Sequence, residues 1–256
     1  MIKVFISAGH GGKDPGAIGN GLKEKNLNLA IAMACAKYLG NNNILVKLSR
    51  QTDENDPVGE EVLEANHFYA DLAVSFHENA GKGNGSETYY YADCEKGKAL
   101  ARCLENASIS LGQNSRGIKP TKSLYFINKT AMPAVLVETA FIDNAADISI
   151  IDNKEKQAAF GRVYGEAILD YINHTTAPPD SVPKPADLLI KAKVPLNVRK
   201  GPGVEYQVTG ELDTQYKYTI IQEAQALDGG TWGKLKSGWG WVNVSEKYVE
   251  RYNNAG

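Results

Sequence analysis

Four side chains carry most of the chemistry this sequence can do. His10 stands in the loop SAGHGGKDPGA and His77 in SFHENA, each after an apolar run. Glu24 sits in GLKEKNLNLA, just before an expected helix, and Glu138 in MPAVLVETAFIDN, directly after an apolar strand. Two imidazoles and one carboxylate are a common catalytic zinc set, with the fourth position open to water. Ligands on separate strand ends also account for the lack of an HExxH helix. A carboxylate behind the strand Ala134–Val137 is costly unless it faces the strand's exit. There Glu138 is placed to act as general base, taking a proton from water and passing it to a leaving amine. Taken singly, each residue has an ordinary reading. A histidine after a strand is commonly solvated or satisfied, Glu24 suits the positive end of a helix, and Glu138 suits a strand end facing solvent. Gly9, Gly11 and Gly12 crowd His10, as in a tight turn aimed at an ion or in a plain strand-to-loop turn.

Bringing these groups together requires elements that end beside one another. Ile2–Ile6, Ile44–Leu48, Leu72–Phe76, Glu87–Tyr91, Leu124–Ile127 and Ala134–Val137 read as strands. Asn26–Leu39 reads as a helix, with Leu27, Ile31, Ala34 and Tyr38 on one face. A second helix is expected with Asp56 as N-cap and Pro57 at its first position, running to about Tyr69. Two more are expected near Lys96–Leu111 and over Lys154–Tyr171. The alternation predicts an α/β domain over residues 1–172, a mixed β-sheet flanked by helices on both faces. Its site belongs at the strand termini. Residues 173–186 contain NHTTAPPDSVPKP, whose prolines suit an extended linker. Residues 187–256 hold short Val-, Tyr-, Trp- and Thr-rich runs broken by glycines, which reads as a small all-β barrel or sandwich.

The 256 residues suffice for one medium and one small domain, and 43% apolar with 23% charged residues is ordinary for a folded chain. A net charge of -2 gives nucleic-acid binding no electrostatic basis, so affinity for an anionic polymer must come from a shaped site. No run approaches the roughly 18–20 apolar residues of a membrane span. Cys35, Cys94 and Cys103 are odd in number and unpaired in spacing, so free thiols and a reducing cytoplasm are expected. The start MIKVFISAGHGG lacks the pattern of a signal peptide, which predicts synthesis in the cytoplasm without one.

The segments AGHGGKDPGA, LKEKNLNLA, SFHENA, GSETYYY and PAVLVETAFIDN, in this order over residues 1–172, resemble the N-acetylmuramoyl-L-alanine amidase family often called Amidase_3. The resemblance implies zinc (Zn2+) bound by His10, Glu24 and His77, with Glu138 as the catalytic carboxylate. It implies a mixed sheet flanked by helices. The implied reaction is hydrolysis of the amide between the lactyl group of N-acetylmuramic acid and L-alanine in bacterial peptidoglycan. Many relatives carry isoleucine where Phe76 precedes the second histidine, an apolar swap that leaves the ligand set intact. The expected place of action is the bacterial cell wall, reached by release as a phage endolysin or by export as an autolysin. Two other readings stay open: a zinc peptidase or carboxypeptidase cutting within the stem peptide, and a non-catalytic wall-binding protein. Against the latter, all four critical positions hold competent residues.

The segments LNVRKGPG and TWGKLKSGWGWVNVSEKYV resemble the bacterial SH3-like (SH3b) domain, which implies a wall-binding module. Tyr206, Tyr216, Tyr218, Trp232, Trp239 and Trp241 are candidates for a stacking groove, although about half must fill so small a core. A flexible linker to such a module makes the catalytic encounter intramolecular. Other polar residues near the site have plainer expectations. Glu78 reads as a solvated loop charge and Glu87 as a strand-edge charge, with cleft lining as the alternative for each. Asn79 suits a local cap. His67 lies mid-helix and His174 in the linker. Arg50 and Asp53 are placed to pair with each other, with substrate contact as the alternative.

Overall fold

The computed structural model describes residues 1–176, 184–204, 206–226 and 230–253. They divide into two compact units, Met1–Tyr171 and Ile172–Gly256. The first unit begins with β1 (Lys3–Ala8), the short hairpin β2 (Ile18–Gly19) and β3 (Leu22–Lys23), then α1 (Glu24–Asn41) and β4 (Leu45–Leu48). It continues through α2 (Val58–Phe68), β5 (Leu72–Asn79), β6 (Ser86–Tyr91), α3 (Glu95–Ser110) and β7 (Ser115–Thr121). It ends with α4 (Tyr125–Lys129), β8 (Ala134–Phe141), α5 (Ala145–Ser149) and α6 (Lys154–Thr176).

Six strands form one sheet in the order β4-β1-β5-β8-β6-β7. All neighbours are parallel except β6 and β8, so the sheet is mixed. Side chains alternate between faces along a strand, and this sorts the sequence into two layers. Phe5, Ala73 and Leu136 point to a core shared with Val62 and Ala65 of α2 and Phe126 of α4. On the opposite face Phe76 stacks on Tyr164 of α6, ring centroids 5.1 Å apart, and the Tyr164 hydroxyl meets Ser108 of α3 at 2.8 Å. A Cβ at Gly161 of α6 would overlap the Ile31 carbonyl of α1, so only glycine lets these helices approach so closely. Burying each large apolar side chain stabilises the fold by roughly 1.5–3 kcal/mol. These two layers therefore pay for the polar groups held at one end of the sheet.

Several elements differ from the sequence expectation. Glu24 opens α1 instead of preceding it, and its N-cap is Lys23. Pro57, not Asp56, occupies the N-cap of α2. Asp56 is drawn inward, where burial pushes its carboxyl up while Ser49 and Arg50 counter the shift. Leu124–Ile127, expected as a strand, leads into the short helix α4, whose Phe126 and Ile127 are buried. A four-residue apolar run cannot by its period alone distinguish the two. β7 escaped notice because SRGIKPT is polar and contains proline, which an edge strand tolerates. β5 and β8 run past their expected ends, so His77 and Glu138 lie on strands and not after them.

The second unit comprises β9 (Lys184–Ala192), β10 (Leu196–Arg199), β11 (Val208–Leu212), β12 (Lys217–Gln225), β13 (Thr231–Leu235), β14 (Trp241–Asn243) and β15 (Val249–Asn253). These strands form one sheet, ordered β11-β10-β14-β13-β12-β9-β15. Leu212 of β11 and Val249 of β15 belong to one buried cluster although they lie at opposite ends of that order. With no helix among the described residues from Lys184 onward to cover the face, such burial requires the sheet to roll around its own core. Of the span expected as linker, Asn173–Thr176 is helical and strand begins at Lys184, while residues 177–183 lie outside the described set. His174 thus falls within α6.

Candidate metal centre

The loop between β1 and β2 sets the first ligand candidate. His10 has φ 65, a left-handed conformation that non-glycine residues rarely adopt. Its Nδ1 lies 2.7 Å from Asp14 Oδ2, which leaves Nε2 facing inward, 3.1 Å from Glu24 Oε1. His77 comes from β5, and its Nδ1 lies 3.0 Å from the same Glu24 oxygen. The two imidazoles meet edge to face, centroids 5.1 Å apart. A Cβ at Gly9 would overlap the His77 ring, and one at Gly16 would overlap both Glu24 and His10. Glycine at these two positions is what admits the three side chains to one point.

Glu24 is buried and its remaining valences are filled. Oε2 accepts from the Ala17 amide at 2.7 Å and Oε1 from the Glu78 amide at 3.1 Å. Burial pushes its carboxyl up, but hydrogen bonds from His10 and His77 outweigh this and hold it well below the usual carboxylate range. The bond to Glu24 in turn raises His10 to about 9, against the opposing effect of burial and with Asp14 adding to the rise.

One donor atom from each of His10, Glu24 and His77 lies within 4.8 Å of the others. Two nitrogens and one carboxylate oxygen suit zinc, which holds tetrahedral donors roughly 3.3 Å apart, close to the separations from Glu24. The carboxylate of Asp14 behind His10 is the partner that a ligating histidine commonly has. Asp14→Asn is therefore expected to weaken metal binding at this centre about 10- to 100-fold. Competition with a chromophoric chelator measures this, and an unchanged affinity would remove Asp14 from the centre.

Glu138 is the neighbour of the centre across the sheet. Its Cα pairs with His77 on one side and with Glu87 on the other, so all three side chains share a face. Glu138 Oε2 is buried with no hydrogen-bond partner among the described residues. Burial raises its carboxyl to about 7, with Glu24 and Glu87 adding to the rise and the two histidines opposing it.

The other polar residues divide differently from expectation. Glu78 is no solvated loop charge. It is buried on the opposite face of β5, its carboxyl pushed well up by desolvation. Glu87 is buried too, its oxygens engaged by Asn79, Tyr89, Arg116 and Lys119. Asn79 caps Ala80 as expected and also reaches Glu87. Arg50 and Asp53 do not pair. Arg50 instead donates to the carbonyls of Ala8, Gly9, Lys25 and Thr52, tying the His10 loop to α1. Asp53 binds Lys25 at 2.6 Å and the Gly12 amide at 2.8 Å. His67 stands apart from the centre, near the end of α2. Asp14 and Arg50 are the positioning residues that sequence reasoning missed or misassigned. For Asp14 the spacing of four from His10 within one loop was the available signal.

Comparison with known proteins places this geometry. Residues 4–170 match the family model Amidase_3, N-acetylmuramoyl-L-alanine amidase. The N-acetylmuramoyl-L-alanine amidase LytC of Bacillus subtilis (strain 168) is 43% identical over 173 residues, covering 65% of this chain and 34% of that protein. The endolysin of Bacillus phage SPP1 is 30% identical over 264 residues, covering 96% and 97%. The catalytic domain of CwlV, an N-acetylmuramoyl-L-alanine amidase from Bacillus (Paenibacillus) polymyxa var. colistinus, superposes with a TM-score of 0.63 at 32% identity, covering 68% of this chain and 99% of that one. The chain spans 34%, 62% and 63% of the length of three curated amidase relatives. With the match running through the His10 loop, Glu24, His77 and Glu138, this chain belongs to the N-acetylmuramoyl-L-alanine amidase family of metal-dependent hydrolases.

Proposed function

We propose that the chain is a zinc-dependent N-acetylmuramoyl-L-alanine amidase, cutting the amide between N-acetylmuramic acid and L-alanine and so lysing bacterial cell wall. The observation that carries this reading is the convergence of His10, Glu24 and His77, with Glu138 the next residue across the sheet, in a chain of this family. Zinc held by those three residues supplies a Lewis acid that polarises a carbonyl and acidifies water. Glu138 does the proton work at Oε2, accepting from the attacking water and donating to the departing alanine amine. Asp14 orients His10, and Arg50 fixes the loop that carries it.

In this reading residues 1–172 perform the cleavage, residues 173–186 link, and residues 187–256 form an SH3-like module that holds peptidoglycan. Tyr206, Tyr216 and Trp239 are exposed, whereas Trp232 is buried and Tyr218 packs against the core. Tyr206 and Trp239 each lie against a glycine, Gly201 and Gly210, where any Cβ would overlap the ring. Such rings present a flat face to a sugar or peptide. The place of action is the bacterial wall. No helix among the described residues is long and apolar enough to cross a membrane.

Mass spectrometry of digested, purified peptidoglycan tests the proposal. An amidase releases intact stem peptides with a free L-alanine amine and leaves muramic acid bare. Alanine left on the sugar would mean a peptidase cutting within the stem. An absence of soluble products from the zinc-loaded protein would mean a wall-binding protein without turnover.

A further inference from the structure

The row of side chains on the face of the centre does not stop at Glu138. Across the sheet it runs from His77 on β5 to Glu138 on β8, then Glu87 on β6, and then to Lys119 and Arg116 on the edge strand β7. Glu87 is a closed group. Oε1 accepts from Tyr89 at 2.7 Å and from Asn79 at 3.0 Å, and Oε2 accepts from Arg116 Nε at 2.7 Å and from Lys119. With every direction occupied it has no role as an acid or base.

The two cations are different. One carboxylate neutralises only one of them, so the cluster retains a positive charge. The Glu87 side chain is 4% exposed, but those of Arg116 and Lys119 are 40% and 35% exposed. Arg116 is fixed on two sides, by its Nε bond to Glu87 and by its guanidinium lying 5.0 Å from the centroid of the Phe141 ring. Its terminal nitrogens donate to no acceptor among the described residues, a fork oriented for a carboxylate. Lys119 stands 5.7 Å from the Tyr89 ring beside it. A purely structural role for Glu87 would have needed one cation, buried with it.

Distance selects the ligand. β7 lies two strand spacings from Glu138, about 9–10 Å. A peptide advances roughly 3.3–3.6 Å per residue, so long side chains reaching back from β7 meet a group about two residues beyond the scissile amide. In the stem peptide the second residue is a γ-linked D-glutamate. Its α-carboxyl group is a free carboxylate in some walls and a neutral carboxamide in others. We propose that Arg116 and Lys119 bind this free carboxylate, and that they make the chain select stems whose second residue is unamidated. The proposal rests on the amidase reading of the centre.

The test uses the full zinc-loaded chain and two matched pairs of probes. The first pair is the dipeptide L-alanyl-D-glutamate with its γ-carboxyl blocked as a methylamide, as the stem blocks it, and the α-amide of the same compound, whose binding is followed by calorimetry. The second is muramyl tetrapeptides differing at the same group, whose hydrolysis is followed as kcat and KM. Wild type is expected to prefer the carboxylate in both assays by about 10- to 100-fold, mostly in KM. The pair Arg116→Gln and Lys119→Met is expected to erase the preference, the two probes then behaving alike. Arg116→Gln alone keeps a donor for Glu87, and melting temperature and zinc content report whether each variant is folded. Equal treatment of the two probes by wild type, or a preference that survives in the folded variants, would overturn the proposal. If wild type hydrolyses neither tetrapeptide, the amidase reading fails. The dipeptide binding then still decides whether the carboxylate site exists.

Discussion

Glutamine at position 138 is expected to slow hydrolysis of purified peptidoglycan about 10²- to 10⁴-fold, the usual worth of a positioned proton carrier, with zinc content unchanged. The substitution keeps the volume and removes only the ability to take a proton. It touches none of the three ligand candidates directly, because Glu138 bonds to neither histidine nor Glu24. Without a metal its carboxyl is raised to about 7 by burial with Glu24 and Glu87 adding, and a dication at the three ligand candidates would draw it down from there, leaving it ionised and able to take a proton at neutral pH. The acid limb of the rate profile should therefore belong to this group and vanish in the variant. A second consequence has the opposite sign. In the metal-free protein the unfolded chain ionises Glu138 near 4.5 and the folded chain only near 7. Stability is lost as pH rises through that window, because the folded state binds the extra proton. Glu138→Gln should then melt higher than wild type above neutral pH, an active-site residue traded against stability. A variant that retains full turnover would end the assignment of the general base. Loss of zinc together with loss of turnover would place Glu138 among the ligands instead.

The parts of this site legible in the sequence were those that depend on local pattern. His10 and His77 follow apolar runs, and a glycine-rich loop around a histidine marks a tight approach whatever the fold. Glu138 was legible because a carboxylate after four apolar residues is costly enough to need a reason. What stayed hidden depends on which strands become neighbours. Glu87 and Glu138 are far apart in sequence and adjacent only because β6 inserts antiparallel beside β8. Arg116 and Lys119 could not be placed at all without β7, whose polar, proline-containing sequence reads as loop. Glu78 was misjudged for a related reason. The strand was expected to end at Phe76, and its continuation to Asn79 turns the next alternate side chain into the opposite core. Arg50 was paired with its sequence neighbour, whereas three of the four carbonyls it reaches belong to the end of β1, the His10 loop and α1. The layered fold itself was more accessible, since its alternation of apolar strands and amphipathic helices is written locally. The exceptions were β7, whose polar sequence hid it, and α4, where the apolar run was too short for its period to decide.

Stripping the metal with a chelator is expected to cut lysis by about 10³-fold or more, since Lewis-acid assistance is worth several kcal/mol, and added zinc should restore it. The same experiment carries a pH signature that locates the metal. Without a metal, hydrogen bonding to Glu24 raises His10 from 6.5 to about 9, burial opposing and Asp14 adding. The stability this pair contributes is fully present below 6.5 and is lost as pH rises through about 9. Glu24, held below its usual range by the histidines against the effect of burial, contributes stability that is present above 4.5 and lost only in acid. The chelated protein should therefore show a melting temperature that falls on the alkaline side, through the titration of His10. A metal at Nε2 competes for the site of that proton, so loading at neutral pH must expel it. The zinc-loaded protein should then keep a flatter melting profile over the same range. Calorimetry in buffers of different ionisation enthalpy, run on Glu138→Gln so that the neighbouring carboxyl releases nothing, should count close to one proton released from His10 on loading. Two superimposable melting profiles, or loading without proton release, would put the metal somewhere other than His10, even if the chelator stopped the enzyme. Activity loss alone shows that a metal is needed, while the coupled proton identifies the imidazole that gives way to it.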